Sequence, residues 1–173
     1  MDTGLRIKSK IVLAVILLIL LALQDALVPF WDIRGIMLNL PVIFVVFVTL
    51  FKGGNYALAW AAVTGILMDL AMGKYLGLNL LSMLFVSYMT DRITSRFYKA
   101  NYILPLVTVG LASLFYYACF LFFSQFAGVG LPFWEKMLTY AIPASLYNAL
   151  IAPVFYVIVY LISERLLKNN SFD

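Results

Sequence analysis

Residues 57–77 read ALAWAAVTGILMDLAMGKYLG, and small side chains recur in them every fourth place. Ala57, Ala61 and Gly65 lead to the carboxylate of Asp69, and Gly73 and Gly77 follow at the same interval, with Ala62 beside the row. In a helix such positions form one slowly drifting stripe. Between membrane helices water supplies no driving force, so close backbone approach through small residues is the available source of packing energy. The segment reads as a membrane helix built to touch another helix, inside the chain or outside it.

The rest of the chain agrees with a membrane setting. Hydrophobic residues make up 65% of 173 positions and charged ones 12%, with a mean hydropathy of +1.02. Soluble domains carry about a quarter charged residues. At about 20 apolar residues per crossing, the length accommodates roughly six spans. The pattern places them near 11–31, 36–52, 55–73, 75–91, 102–125 and 138–162, in a single all-α membrane domain over 1–173. The first apolar run passes Gln24-Asp25 and reaches Phe30-Trp31 with no Ala-x-Ala site, so it reads as a retained span rather than a cleaved leader. The second span is short, and tilt or local thinning of the bilayer would accommodate it. Within the last span, Pro143 falls early and Pro153 predicts a bend.

Charge sets the expected orientation. With the N-terminus in the cytoplasm, inner segments hold nine basic residues: Arg6, Lys8, Lys10, Lys52, Arg92, Arg96, Lys99, Arg165 and Lys168. Outer segments hold three, Arg34, Lys74 and Lys136. The imbalance favours both termini inside. Arg92, Arg96 and Lys99 form a basic cytoplasmic loop suited to anionic lipid headgroups and to a docking protein. The net charge of +4 is thereby explained by anchoring, and nucleic-acid binding is not expected.

Under this orientation, polar residues collect near the outer surface. Gln24 and Asp25 end the first span, Asn39 opens the second, Asp69 closes the third, Asn79 begins the fourth, and Ser124-Gln125 close the fifth. Such a layer suits a small solute or an interacting partner, although helix ends are in general more polar than their middles. Three readings of Asp69 stay open: a structural carboxylate bonded to nearby backbone amides, a partner or ligand contact, and a proton or ion relay. Lys74 is placed to offset part of its charge.

Enzyme chemistry is not expected. There is no histidine, and Cys119 is the only cysteine, so nucleophile–histidine pairs, an internal disulfide and the usual metal-ligand clusters are absent. Asp25 and Asp69 are acids placed inside spans, and neither lies in a catalytic motif. No cofactor or metal is implied.

The block Gly65, Asp69, Gly73, Gly77 with its small-residue helix resembles the MreD family of bacterial rod shape-determining membrane proteins. Gln24, the basic lead and the short helix entered through Leu38-Asn39-Leu40 agree with it. The distinguishable motif covers about 23–80, and the C-terminal half matches in layout. Members commonly enter that helix through Pro, then Asp or Asn, then Leu; here Leu38 takes the proline place and Pro41 follows later. The resemblance implies a non-enzymatic scaffold of the elongation machinery in the inner membrane. Its implied partners are the single-span shape protein MreC, actin-like MreB, and the RodA polymerase with its transpeptidase. It also implies a fold similar to the substrate-binding membrane subunits of vitamin transporters, which makes a small-solute transporter subunit the alternative. On this reading the stripe receives a partner helix, Asp69 fixes its register, and Gly65→Leu blocks the association.

Overall fold

The fold is given by a computed structural model, which describes the backbone of residues 2–26, 28–33, 35–73, 76–97 and 103–168. Side chains are described for 10–26, 28–30, 32–33, 35–73, 76–94 and 105–157. Arg6, Lys8, Arg34, Lys74, Arg96, Lys99, Arg165 and Lys168 fall outside the residues whose side chains are described. Among the described residues all extended regular structure is helical. Helix α1 spans Asp2–Ala26, α2 Leu40–Lys52, α3 Gly54–Met72, α4 Leu78–Phe97 and α5 Ile103–Phe126. A short α6, Phe133–Lys136, runs through a π-turn, Met137–Ala141, into α7, Ile142–Lys168. Short connections make successive long helices alternate in direction. The C-terminal ends of α1, α3 and α5 therefore share one end of the bundle with the starts of α2, α4 and α7.

Three described stretches are long and apolar enough to cross a membrane: Gly54–Met72, Pro105–Phe126 and Phe133–Val157. Helix α2 is different. It has 13 residues, about 20 Å at 1.5 Å per residue, and every position from Leu40 to Thr49 is buried. Helices α1, α3, α4, α5 and α7 all pack against it. A helix that is apolar all round belongs at a core. The short second span thus needs no tilt or bilayer thinning, because its surroundings are protein. It also begins at Leu40 rather than residue 36, since residues 37–39 form no regular structure and Ile33 and Ile36 exchange backbone hydrogen bonds of 3.1 Å.

Two contacts set the tightest helix spacings. A Cβ placed on Gly65 would stand 2.5 Å from Leu80 Cα, so α3 and α4 meet backbone to backbone. On the other side, a Cβ on Gly110 of α5 would lie 3.1 Å from the Ala149 Cβ of α7. Ala141, Ala144, Ala149 and Ala152 are all buried. This second small-residue contact is spelled in the sequence by Gly110 and by the spacing of those alanines.

The π-turn has a local cause. Pro143 carries no N–H, and its ring would crowd the carbonyl four residues earlier. The chain widens by a residue just before it, and the Ile142 N–H bonds to the Met137 carbonyl. Pro143 therefore lies within a continuous helical path, not at its beginning. Pro153 lies inside α7, as the sequence predicts. The expected basic loop is also partly helical: α4 continues to Phe97, which puts Arg92 on a helix with its guanidinium 5.3 Å from the Tyr88 ring centre.

Candidate functional site: a cavity above two polar clusters

Asp69 sits in the last turn of α3, where its own helix dipole disfavours a carboxylate. The adjoining hairpin removes the conflict. Gly73 closes α3 in the left-handed conformation (φ 64°), Gly77 turns the chain at φ 100°, and α4 begins with its free amides facing Asp69. Its two carboxylate oxygens accept from the backbone amides of Gly77 (2.8 Å), Asn79 (2.9 Å) and Leu80 (3.2 Å) and from Asn79 Nδ2 (3.0 Å). The carboxylate of α3 is the N-terminal cap of α4, held by the positive end of that helix. Asn79 in turn accepts from the Tyr116 hydroxyl through its Oδ1. Asp69 is 2% exposed.

The opposite end of the same hairpin reverses the arrangement. Asp91 of α4 accepts the Gly54 amide at 2.9 Å and so caps the start of α3. Gly53 joins α2 to α3 at φ 58°, and a Cβ there would meet the Asp91 carboxylate at 2.8 Å. Each helix of the pair thus supplies the carboxylate that caps the other.

A second cluster organises the entrance to α2. The Gln24 amide lies along the chain leading into that helix, donating to the Leu38 carbonyl and accepting from the Leu40 amide, both at 2.9 Å. Between them the Asn39 amide donates to Asn148 Oδ1 (2.9 Å), and Asn148 Nδ2 donates to the Ser113 hydroxyl (3.0 Å). Asn39 Oδ1 accepts from Val42 and caps α2. Backbone groups with no helical partner are satisfied here by side chains from α1 and α7.

The polar layer read from the sequence therefore divides. Gln24 and Asn39 meet, Asn79 and Asp69 meet elsewhere, and Asp25 joins neither cluster. Ser124 bonds its own helix at Leu121, and Gln125 reaches the Leu131 carbonyl in the turn that follows α5. Nothing in the spacing of Ser113, Tyr116 and Tyr117 reveals their partners in the sequence. Asn148 lies between Pro143 and Pro153 in the sequence, and its amide joins the entry of α2 to α5. The stripe also divides. Ala57, Ala61, Gly65 and Asp69 are buried, whereas Gly73 is exposed and a Cβ on Gly73 or Gly77 would meet nothing within 4 Å. The last two glycines serve the turn and not the packing.

Above these clusters lies a cavity of about 390 Å³. Gln24 and Asp25 from α1, Asn39 and Met37 before α2, and Met68, Ala71 and Met72 of α3 form one side. Tyr116, Tyr117 and Phe120 of α5, with Lys136 and Tyr140 from the α6–π-turn segment, form the other. Its walls are mainly apolar and rich in methionine, a side chain that adapts to varied apolar occupants. The Tyr117 hydroxyl is buried without a hydrogen-bond partner. Phe30, Leu76, Phe126 and Trp134, each at least 76% exposed, lie at or beside helix ends on this same side.

No curated protein and no solved structure matches the chain significantly. A family model described as rod shape-determining protein MreD matches residues 6–166, and thus nearly all the elements that build the bundle and its cavity. The chain belongs to the MreD family of rod shape-determining membrane proteins.

Proposed function

We propose that this chain is a non-enzymatic scaffold of the elongation machinery, and that it receives a partner at the outer cavity. It sits in the inner membrane with both termini in the cytoplasm. There it helps coordinate lateral peptidoglycan synthesis and so maintains rod shape. The partner held most directly is the single-span protein MreC, with MreB, RodA and its transpeptidase in the wider assembly.

The observation that carries this reading is a contrast. Gly65 and Asp69, the residues best suited by sequence to meet a partner, are consumed inside the chain by Leu80 and by the start of α4. A foreign helix has no access to either. The cavity, by contrast, is open and lined from several elements. The exposed apolar side chains at the same end would extend a contact beyond its mouth. Asp69 already accepts four N–H groups, which leaves it poorly placed to act as a general base.

The test is recovery of partners in mild detergent, comparing the native chain with Ala71→Trp, which fills the cavity from α3. The cytoskeletal and wall-synthesis proteins should accompany the native chain, and MreC should be lost from the variant. Recovery of MreC with both would refute the cavity as its site. A volume of about 390 Å³ also lies in the range of small-ligand pockets, about 300–1,000 Å³. That size favours a second reading as a solute-binding transporter subunit, which co-purification of an ATP-driven module would support.

A further inference from the structure

Helix α1 packs against α2 and the short turn that follows it, Val28–Trp31, and among the described residues it makes no comparable contact with α3. Near the polar end of the bundle the cavity lies between these two helices. Leu21 of α1 stands on one wall, and Met68, Ala71 and Met72 of α3 stand on the other. At this depth both helices carry exposed apolar side chains, Leu18 and Ile19 on α1 and Leu70 on α3. The gap therefore opens sideways toward acyl chains as well as endwise toward the headgroup layer. Water is a poor filler for such a space. An ordered water needs several polar partners, and the Gln24 amide and Tyr116 hydroxyl of the lining are spent inside the chain. Apolar cavities of about 150 Å³ already stay dry and take up apolar molecules, and this one measures about 390 Å³. Its charged residues differ from its walls. Asp25, near the end of α1, and Lys136, at the end of α6, are both exposed, and neither forms an ion pair among the described residues.

We infer that the cavity holds one acyl chain of a zwitterionic aminophospholipid, entered from between α1 and α3, with the lipid's ammonium at Asp25 and its phosphate at Lys136. A primary ammonium donates to a carboxylate, and the Lys136 Nζ donates to a phosphate oxygen. A purely anionic headgroup would satisfy Lys136 but meet repulsion from Asp25. The thioethers of Met37, Met68 and Met72 adapt to a flexible chain. This goes beyond the docking reading and does not depend on it. A partner arriving at this end would meet the headgroup together with the protruding Phe30, Leu76, Phe126 and Trp134.

The experiment reconstitutes the full chain alone in nanodiscs of equal parts phosphatidylethanolamine and phosphatidylglycerol. The chain is then released into mild detergent and weighed by native mass spectrometry. The native chain should retain one phospholipid, with phosphatidylethanolamine favoured by roughly 2- to 5-fold, the scale of exposed ion pairs. Ala71→Trp should lose it, and Leu21→Trp, which fills the same space from α1, should do likewise. Circular dichroism confirms that each variant is folded. The double variant Asp25→Asn with Lys136→Gln, at exposed positions, should keep a lipid without preference between headgroups. A native chain free of lipid, or a lipid that survives both tryptophans in folded protein, would overturn the cavity as its site. Phosphatidylglycerol favoured by the native chain, or a preference unchanged in the double variant, would overturn the headgroup assignment. Recovery of MreC is a separate measurement, so a failure here leaves the docking reading standing.

Discussion

Glycines at equal spacing do different work in this chain. Gly65 is required by space, because any side chain would enter the Leu80 backbone. Gly73 is required by conformation, because it closes α3 at φ 64° with open surroundings. Asparagine tolerates the left-handed region with little cost, so Gly73→Asn should remain close to native stability. Gly65→Asn should lose about 3 kcal/mol or more through overpacking. Thermal unfolding in detergent distinguishes them, and equal losses would contradict this division. The four-residue rhythm was legible in the sequence, but not where packing gives way to turning. That boundary depends on the backbone angle at Gly73, which spacing does not encode.

Helices α3 and α4 form a hairpin closed at both ends by exchanged carboxylates, Asp69 onto α4 and Asp91 onto α3. The two caps are unequal. Asp69→Ala would strand four N–H groups, three of them backbone, at a cost of about 3 kcal/mol. Asp91→Ala removes the acceptor of one exposed amide and should cost about 1 kcal/mol. Chemical unfolding of the two variants should show that order, and a larger loss at Asp91 would sink the account. The sequence placed Asp69 at the end of a helix and left its role open among structure, partner and relay. Asp91 carries no such local signal, because the amide that it caps is 37 residues away. Helix α2 shows the same limit. Its shortness was plain, but its enclosure by five neighbours was not, since apolar residues face lipid and protein alike.

The whole molecule is a bundle whose polar clusters and cavity lie toward one end. We propose, from the balance of basic residues, that this end lies outside the cytoplasm. With Cys119 replaced by alanine, single cysteines at Asp25 or Lys136 should react with a membrane-impermeant maleimide in intact cells. A cysteine at Lys52, exposed at the opposite end, should react only after permeabilisation. The reverse pattern would invert the bundle and place the cavity on the cytoplasmic side.

By itself the sequence determined the membrane setting, the helical class and the shape-determining family. Those follow from composition and from local periodicity, which a chain displays before it folds. Only the tertiary structure decided which polar groups pair, which glycines touch a neighbour, and that Gly65 and Asp69 meet the start of α4. Hydrogen bonds and close approach depend on distances of a few ångströms between residues far apart in the chain, and those distances exist only once the helices have packed.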